Sequence, residues 1–234
     1  MLPHLSLSVD KLISLYGSHH INVSTYQHNT FKQSHIHLMN IIFDFGNVLV
    51  RWEPERVYLP YFGGEESKYW FFWRHVCDAT FRNRIDAGED QRMCIAEQQR
   101  LFPEYAEAID MYHSRWEEAL PGEMPGMREL ILELKDDPRY SIYGLTNWSM
   151  ETFPKARARF PILQLIDNYV VSGDVKMVKP NPAIFQLLLN RFGLRPEECI
   201  FIDDNPDNVE GARRLGMKGI VFAGAEELRK QLLA

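Results

Sequence analysis

Six residues of this 234-residue chain have side chains that suit the binding and transfer of a phosphoryl group. They are Asp44, Thr146, Asn147, Lys179, Asp203 and Asp204. Two or three neighbouring carboxylates can hold a hard divalent cation such as Mg²⁺. A hydroxyl and nearby backbone N–H groups can donate hydrogen bonds to an anion, and a lysine ammonium adds a positive point charge.

Asp44 has the position that a nucleophile needs, directly after a short apolar run at residues 41–43. A carboxylate that faces phosphorus opposite the leaving oxygen can attack it and form an aspartyl phosphate, which water later cleaves. Nearby cations matter because an anionic nucleophile must approach an anionic substrate. The simpler alternative is that Asp44 only caps the turn after a strand.

Predicted strands place these residues together. Short apolar runs at 140–145, 168–171 and 199–202 alternate with helical patterns from residue 125 onward. This alternation, with the run at 41–43, predicts an α/β fold with a parallel sheet and crossover helices. Because ligands bind at the carboxyl ends of parallel strands, the six residues are expected along one edge of the sheet.

A helical insertion, residues 53–124, interrupts the pattern, so that 39–52 and 125–234 form the predicted α/β core. Its many aromatic residues are most simply the core of a small helical unit. In the segment 89–101, Met93, Ile95 and Ala96 are expected to face inward. Arg82 and Arg84 are either solvated or turned towards a ligand.

Composition restricts the partners. The net charge is −6 without a basic run, which argues against nucleic acid, and no apolar segment is long enough to span a bilayer. The three cysteines are widely spaced, which is typical of a reducing compartment and predicts a cytoplasmic protein. Residues 1–38 are polar and contain six of the eight histidines at irregular spacing, so we predict a poorly ordered extension, with Met39 as an alternative start.

Four motifs in order resemble the haloacid dehalogenase superfamily. They are Asp44-Phe45-Gly46-Asn47-Val48-Leu49, Leu145-Thr146-Asn147, Lys179-Pro180 and Asp203-Asp204-Asn205. The resemblance covers about residues 39–234 and implies a Rossmann-like parallel sheet, with the helical insertion in the place of the helical C1 cap of subgroup I. It implies that Asp44 is the nucleophile and a metal ligand, together with the Gly46 carbonyl and Asp204.

The same resemblance implies roles for the remaining residues. Thr146 and Asn147 would bind phosphate, and Lys179 would balance charge. Asp203 competes with Asp204 for the metal, and Asn208 is a candidate to hold a metal-bound water.

One position departs from the common phosphatase pattern. Many phosphatases of the superfamily have a second aspartate two residues after the nucleophile, where this chain has Gly46. A glycine cannot protonate a leaving group or activate water. The pattern is similar to the subgroup that includes the α-D-glucose-1-phosphate phosphatases. The alternatives are a 2-haloacid dehalogenase, which the acid pair at 203 and 204 disfavours, and a protein that binds phospho-ligands without turnover.

The sequence thus predicts a Mg²⁺-dependent phosphatase that hydrolyses small phosphomonoesters, with sugar phosphates as one class, through an aspartyl phosphate. Its expected partner is a small phosphorylated metabolite, and the chain is expected to be a monomer or a weak homodimer. Trp52 and Trp148, which flank the motifs, either stack on a sugar ring or pack in the core.

Overall fold

A computed structural model describes residues 38–233. The strands of the predicted core are β1 (Met39–Phe43), β2 (Tyr140–Thr146), β3 (Asn168–Val171), β4 (Cys199–Asp203) and β5 (Lys218–Val221). They form one parallel sheet in the order β3-β2-β1-β4-β5. The α/β class is therefore confirmed. The prediction for the N-terminal extension falls outside the described residues, apart from Leu38.

The central strand β1 pairs with β2 on one side and β4 on the other, with Ile42 opposite Tyr143 and Phe201. Ile41 and Ile42 are both fully buried, because helices cover both faces of the sheet. This topology sets the carboxyl end of β1 between the ends of β2 and β4.

Twelve α-helices surround the sheet or lie between β1 and β2 in the described part of the chain. Before β2 these are α1 (Glu55–Tyr61), α2 (Glu66–Phe71), α3 (Ala79–Asp86), α4 (Gln91–Leu101), α5 (Ala106–Ser114) and α6 (Met127–Asp136). After β2 they are α7 (Phe153–Arg159), α8 (Pro161–Gln164), α9 (Ser172–Val175), α10 (Pro182–Phe192), α11 (Pro206–Arg213) and α12 (Ala225–Leu233). A π-helical turn (Phe72–Val76) and three short 3₁₀ segments (Pro103–Tyr105, Trp116–Ala119, Pro196–Glu198) complete the set.

The helical insertion has a hydrophobic cluster of its own, and aromatic side chains fill much of it, as predicted. Tyr58, Tyr69 and Phe72 are almost completely buried there, and the rings of Tyr58 and Phe72 lie 5.0 Å apart. The expectation for Met93 was wrong, since 63% of it is exposed. Ile95 is buried as expected; helix α4 begins after the cap Asp90, and its period turns Cys94 inward in place of Met93.

Among residues 38–233, no helix combines the length and apolar character that crossing a membrane requires.

Candidate active site

The ends of β1, β2 and β4 bring the predicted site residues together. A cavity of about 610 Å³ lies there, between the strand ends and the helical insertion. Asp44, Gly46, Asn147, Lys179 and Asp204 line its wall on the side of the core. The expectation that these groups share one edge of the sheet is confirmed.

Two of the predicted residues lie behind this wall. Thr146 and Asp203 end their strands next to the cavity, but both are fully buried. The Thr146 hydroxyl has no hydrogen-bond partner among the described residues. An unpaired buried hydroxyl costs free energy, so an anion bound at this edge would supply a missing partner.

Lys179 connects the acidic groups. Its ammonium lies 2.9 Å from Oδ1 of Asp44 and 2.7 Å from Oδ2 of Asp203, and it also donates to the carbonyl of Leu145. Burial opposes the charged form, but Asp203 and Asp44 outweigh it and hold the pKa of Lys179 above its usual value. The lysine is therefore a fixed cation beside the carboxylate of Asp44.

The side chain of Asn147 holds the backbone of Lys179. Its Oδ1 accepts from the Lys179 N–H at 2.9 Å, and its Nδ2 donates to the Lys179 carbonyl at 3.1 Å. The side-chain amide thus positions the lysine. Because Nδ2 carries a second hydrogen, both this hydrogen and the backbone N–H of Asn147 are candidate donors to a phosphate oxygen.

Asp203 is enclosed by donors. Besides the hydrogen bond from Lys179, its carboxylate accepts hydrogen bonds from the backbone N–H of Asn205 at 2.8 Å and from Nδ2 of Asn208 at 3.1 Å. These bonds occupy both carboxylate oxygens and also occupy the amide nitrogen of Asn208. Asp203 is consequently a weaker candidate metal ligand than Asp204.

Asp204 is held by a residue whose role the sequence reasoning did not assign. Asn47 Nδ2 donates to Oδ2 of Asp204 at 3.1 Å, while Asn47 Oδ1 accepts from the N–H of Trp52 at 2.8 Å. Asn47 has a φ of 52°, a left-handed conformation that asparagine adopts more readily than most residues. The asparagine directly after Gly46 was the sequence feature that could have indicated this role.

The acidic cluster fits a divalent cation. Oxygens of Asp44, Asp203 and Asp204 lie within 4.8 Å of one another, and the ammonium of Lys179 contacts two of these carboxylates, those of Asp44 and Asp203. Burial raises the pKa of Asp44 to about 7, with Lys179 opposing the rise and Asp203 adding to it. Burial and Asp203 also raise the pKa of Asp204. Oxygen donors whose negative charge exceeds the nearby positive charge suit Mg²⁺.

The helical insertion supplies residues that the sequence reasoning did not single out. Asp86, Gln91 and Tyr112 line the same cavity as Asp44. Gln91 is almost completely buried, and its side-chain oxygen has no hydrogen-bond partner among the described residues. Spacing alone could not identify these residues, because they belong to three different helices or helix ends.

Of the two candidate arginines, Arg82 lines the cavity, with its guanidinium 4.5 Å from the centre of the Trp73 ring. Arg84 instead forms ion pairs with Glu89 and Glu97. Trp52 and Trp148 pack against the core, as one interpretation predicted, and both also line the cavity, where stacking on a substrate ring stays a prediction.

The family model of haloacid dehalogenase-like hydrolases matches residues 38–216, which is most of the chain. The chain belongs to the haloacid dehalogenase-like hydrolase family. The resemblance of its four motifs is therefore confirmed at the level of the superfamily.

Curated relatives match only part of the chain. It is 36% identical over 91 residues to drimenol cyclase drtB of Aspergillus calidoustus, covering 39% of this chain and 17% of that protein. It is 30% identical over 109 residues to the chloroplast flavin mononucleotide hydrolase 1 of Arabidopsis thaliana, covering 47% of this chain and 44% of that protein. The chain thus spans less than half the length of these relatives.

A solved structure shares the fold over most of the chain. It is a haloacid dehalogenase family enzyme of Bacteroides thetaiotaomicron in complex with magnesium and inorganic phosphate. The TM-score is 0.62 and the identity 19%, with 83% of this chain and 99% of that one covered. At this identity the likeness concerns the fold alone.

Proposed function

We propose that this hydrolase is a Mg²⁺-dependent phosphatase acting on small phosphomonoesters through an aspartyl phosphate on Asp44. The observation that carries the proposal is the cluster of the Asp44, Asp203 and Asp204 carboxylates, two of which, Asp44 and Asp203, contact the buried ammonium of Lys179. A carboxylate that displaces halide needs no metal, so an acidic cluster of this kind favours phosphoryl transfer over dehalogenation.

The roles of the residues follow from their contacts. Mg²⁺ held by Asp44, Asp204 and the Gly46 carbonyl would neutralise charge on the phosphoryl oxygens. Asp44 Oδ2 attacks phosphorus, because Oδ1 is occupied by Lys179 and by the N–H of Phe45. Lys179 offsets the charge of nucleophile and substrate, and Asp203 holds Lys179 in place. Thr146 and the backbone at Asn147 bind phosphate oxygens.

The cavity supports a small substrate. Its volume of about 610 Å³ lies within the range of sites for small metabolites. The unpaired oxygen of Gln91 can accept a hydrogen bond from a substrate hydroxyl, which favours sugar phosphates and other polyol phosphates. Tryptophans in the wall, among them Trp73 and Trp116, also suit a planar ring, so flavin mononucleotide belongs in the same test.

The test is a phosphate-release screen over sugar phosphates, flavin mononucleotide and p-nitrophenyl phosphate, with Mg²⁺ and with EDTA. We expect release by the wild type with Mg²⁺ only, and a loss of at least about 10³-fold in Asp44→Asn. Metal-independent halide release from 2-haloacids would support the dehalogenase alternative instead. Binding of phospho-ligands in calorimetry without turnover would support a binding protein.

We propose a small phosphorylated metabolite as the partner, and a monomer or weak homodimer as the assembly. Light scattering across a concentration series would measure the assembly state directly.

A further inference from the structure

Gly46 leaves the proposed phosphatase without a proton donor beside its nucleophile. We propose that Asp86, at the end of α3 in the helical insertion, is the general acid and base of this reaction; the inference rests on the proposed function. Asp86 lines the same cavity as Asp44. Its carboxyl group has no hydrogen-bond partner among residues 38–233, so it is available to a substrate.

Two hydrogen bonds of the Ser172 hydroxyl fix the position of Asp86 relative to the core. The hydroxyl of Ser172 donates to the Asp86 carbonyl at 2.6 Å, and the N–H of Trp148 donates to the same hydroxyl at 2.9 Å. Ser172 is fully buried. Since Trp148 directly follows Asn147, this connection ties the end of α3 to the loop that borders the phosphate site.

A second close contact between the helical insertion and the core lies two residues after Asp86, at Gly88. Gly88 has a φ of 82°, and a Cβ atom at this position would lie only 2.3 Å from the carbonyl oxygen of Gly173. Only glycine allows the two chain segments to approach so closely. The helical insertion is therefore seated tightly on the core next to Asp86, as an acid that must reach a bound substrate requires.

The charges around Asp86 suit proton transfer. Arg82 from its own helix, Lys179 from the core and Tyr112 from α5 face it. Burial raises the pKa of Asp86 to about 7, although Arg82 and Lys179 oppose the rise. A carboxyl group that is half protonated near neutral pH can serve in turn as acid and as base.

The reaction proceeds in two steps. Asp44 attacks phosphorus, the bond from phosphorus to the leaving oxygen breaks, and protonated Asp86 gives its proton to that oxygen. An alcohol leaves, and the phosphoryl group stays on Asp44. Ionised Asp86 then takes a proton from water, whose oxygen attacks phosphorus and breaks the bond to Asp44. Phosphate leaves, and Asp86 is protonated again.

The test compares leaving groups in Asp86→Asn, with the exposed Asp110→Asn on α5 as the matched control. Nitrophenolate leaves without a proton, whereas a sugar or alkyl alkoxide needs one. For an alkyl phosphate, we expect kcat to fall by about 10²–10⁴-fold in the variant. With p-nitrophenyl phosphate, rapid-mixing kinetics should detect a burst of one nitrophenolate per enzyme, followed by slow turnover, because only the hydrolysis of the aspartyl phosphate is blocked. Asp110→Asn should behave as wild type.

Two outcomes would overturn the inference without contradicting the proposed phosphatase activity. One is that Asp86→Asn turns over both esters at the wild-type rate. The other is that kcat falls equally for both esters and no burst is seen, although the melting temperature of the variant is no lower than that of the wild type. If the wild type itself hydrolyses neither ester, the proposed function fails, and the inference fails with it.

Discussion

Asn47 Nδ2 lies 3.1 Å from Oδ2 of Asp204 and joins the turn after β1 to the end of β4 across 157 residues of sequence. The same asparagine accepts from the N–H of Trp52. It therefore fixes the orientation of the carboxylate that we propose as a metal ligand. Loss of such a supporting contact typically lowers metal affinity about 10–100-fold.

Replacing Asn47 should weaken metal binding more than folding. In Asn47→Gly the left-handed backbone remains easy to form, but both side-chain hydrogen bonds are lost. We expect the Mg²⁺ concentration for half-maximal phosphate release to rise about 10–100-fold. Asn47→Ala should lose as much metal affinity and about 1 kcal/mol more stability, because alanine disfavours the positive φ. Equal Mg²⁺ titrations for wild type and Asn47→Gly would contradict this role.

Removing the charge of Lys179 should destabilise the fold strongly. Lys179→Met leaves the buried carboxylates of Asp44 and Asp203 without their cation, which we expect to cost about 3–5 kcal/mol of unfolding free energy. Urea unfolding without metal measures this cost. Lys135→Met is the matched control, since Lys135 is exposed and donates to one carbonyl, that of Leu165. A cost below about 1 kcal/mol for Lys179→Met would mean that the acids are not both ionised.

Thr146→Val should raise stability and lower affinity for phosphate. The variant removes a buried hydroxyl that has no partner, so unfolding free energy should rise by about 1–2 kcal/mol. If the hydroxyl binds phosphate, inhibition by inorganic phosphate should weaken about tenfold or more. Thr152→Val is the contrast, because its hydroxyl accepts from the Trp148 indole at 3.0 Å. That variant should lose stability instead.

Stability should depend on pH through Asp86. Its pKa is raised to about 7 in the folded chain, so the folded state holds the proton more tightly than the unfolded state. This contribution is fully present below the unfolded pKa and is lost as pH rises through the folded pKa. Asp86→Asn does not titrate. The stability of the variant relative to wild type should therefore grow by roughly 1–3 kcal/mol between about pH 5 and pH 8. A difference that does not change with pH would mean that Asp86 has an ordinary pKa.

The sequence by itself determined the sheet and the group of residues at its edge. Hydrophobic runs fix which segments become buried strands, and a polar residue at the end of each run must then lie at the carboxyl edge of a parallel sheet. Asp44, Thr146 and Asp204 could be placed in one site for that reason, whereas Lys179 lies in the loop before α10 and was assigned to the site through its motif. The aromatic core of the helical insertion likewise follows from composition and helical spacing.

Only the tertiary structure decided which role each of these residues can have in the site. Asp203 and Asp204 are adjacent and chemically identical, but Asp203 points to Lys179 and Asn208, while Asp204 is held by Asn47 at the cavity. Asp86 is joined to Ser172 across 86 residues, a contact that no local pattern encodes. Hydrogen bonding and burial depend on neighbours that are distant in sequence, and these neighbours set the charge and orientation of each side chain.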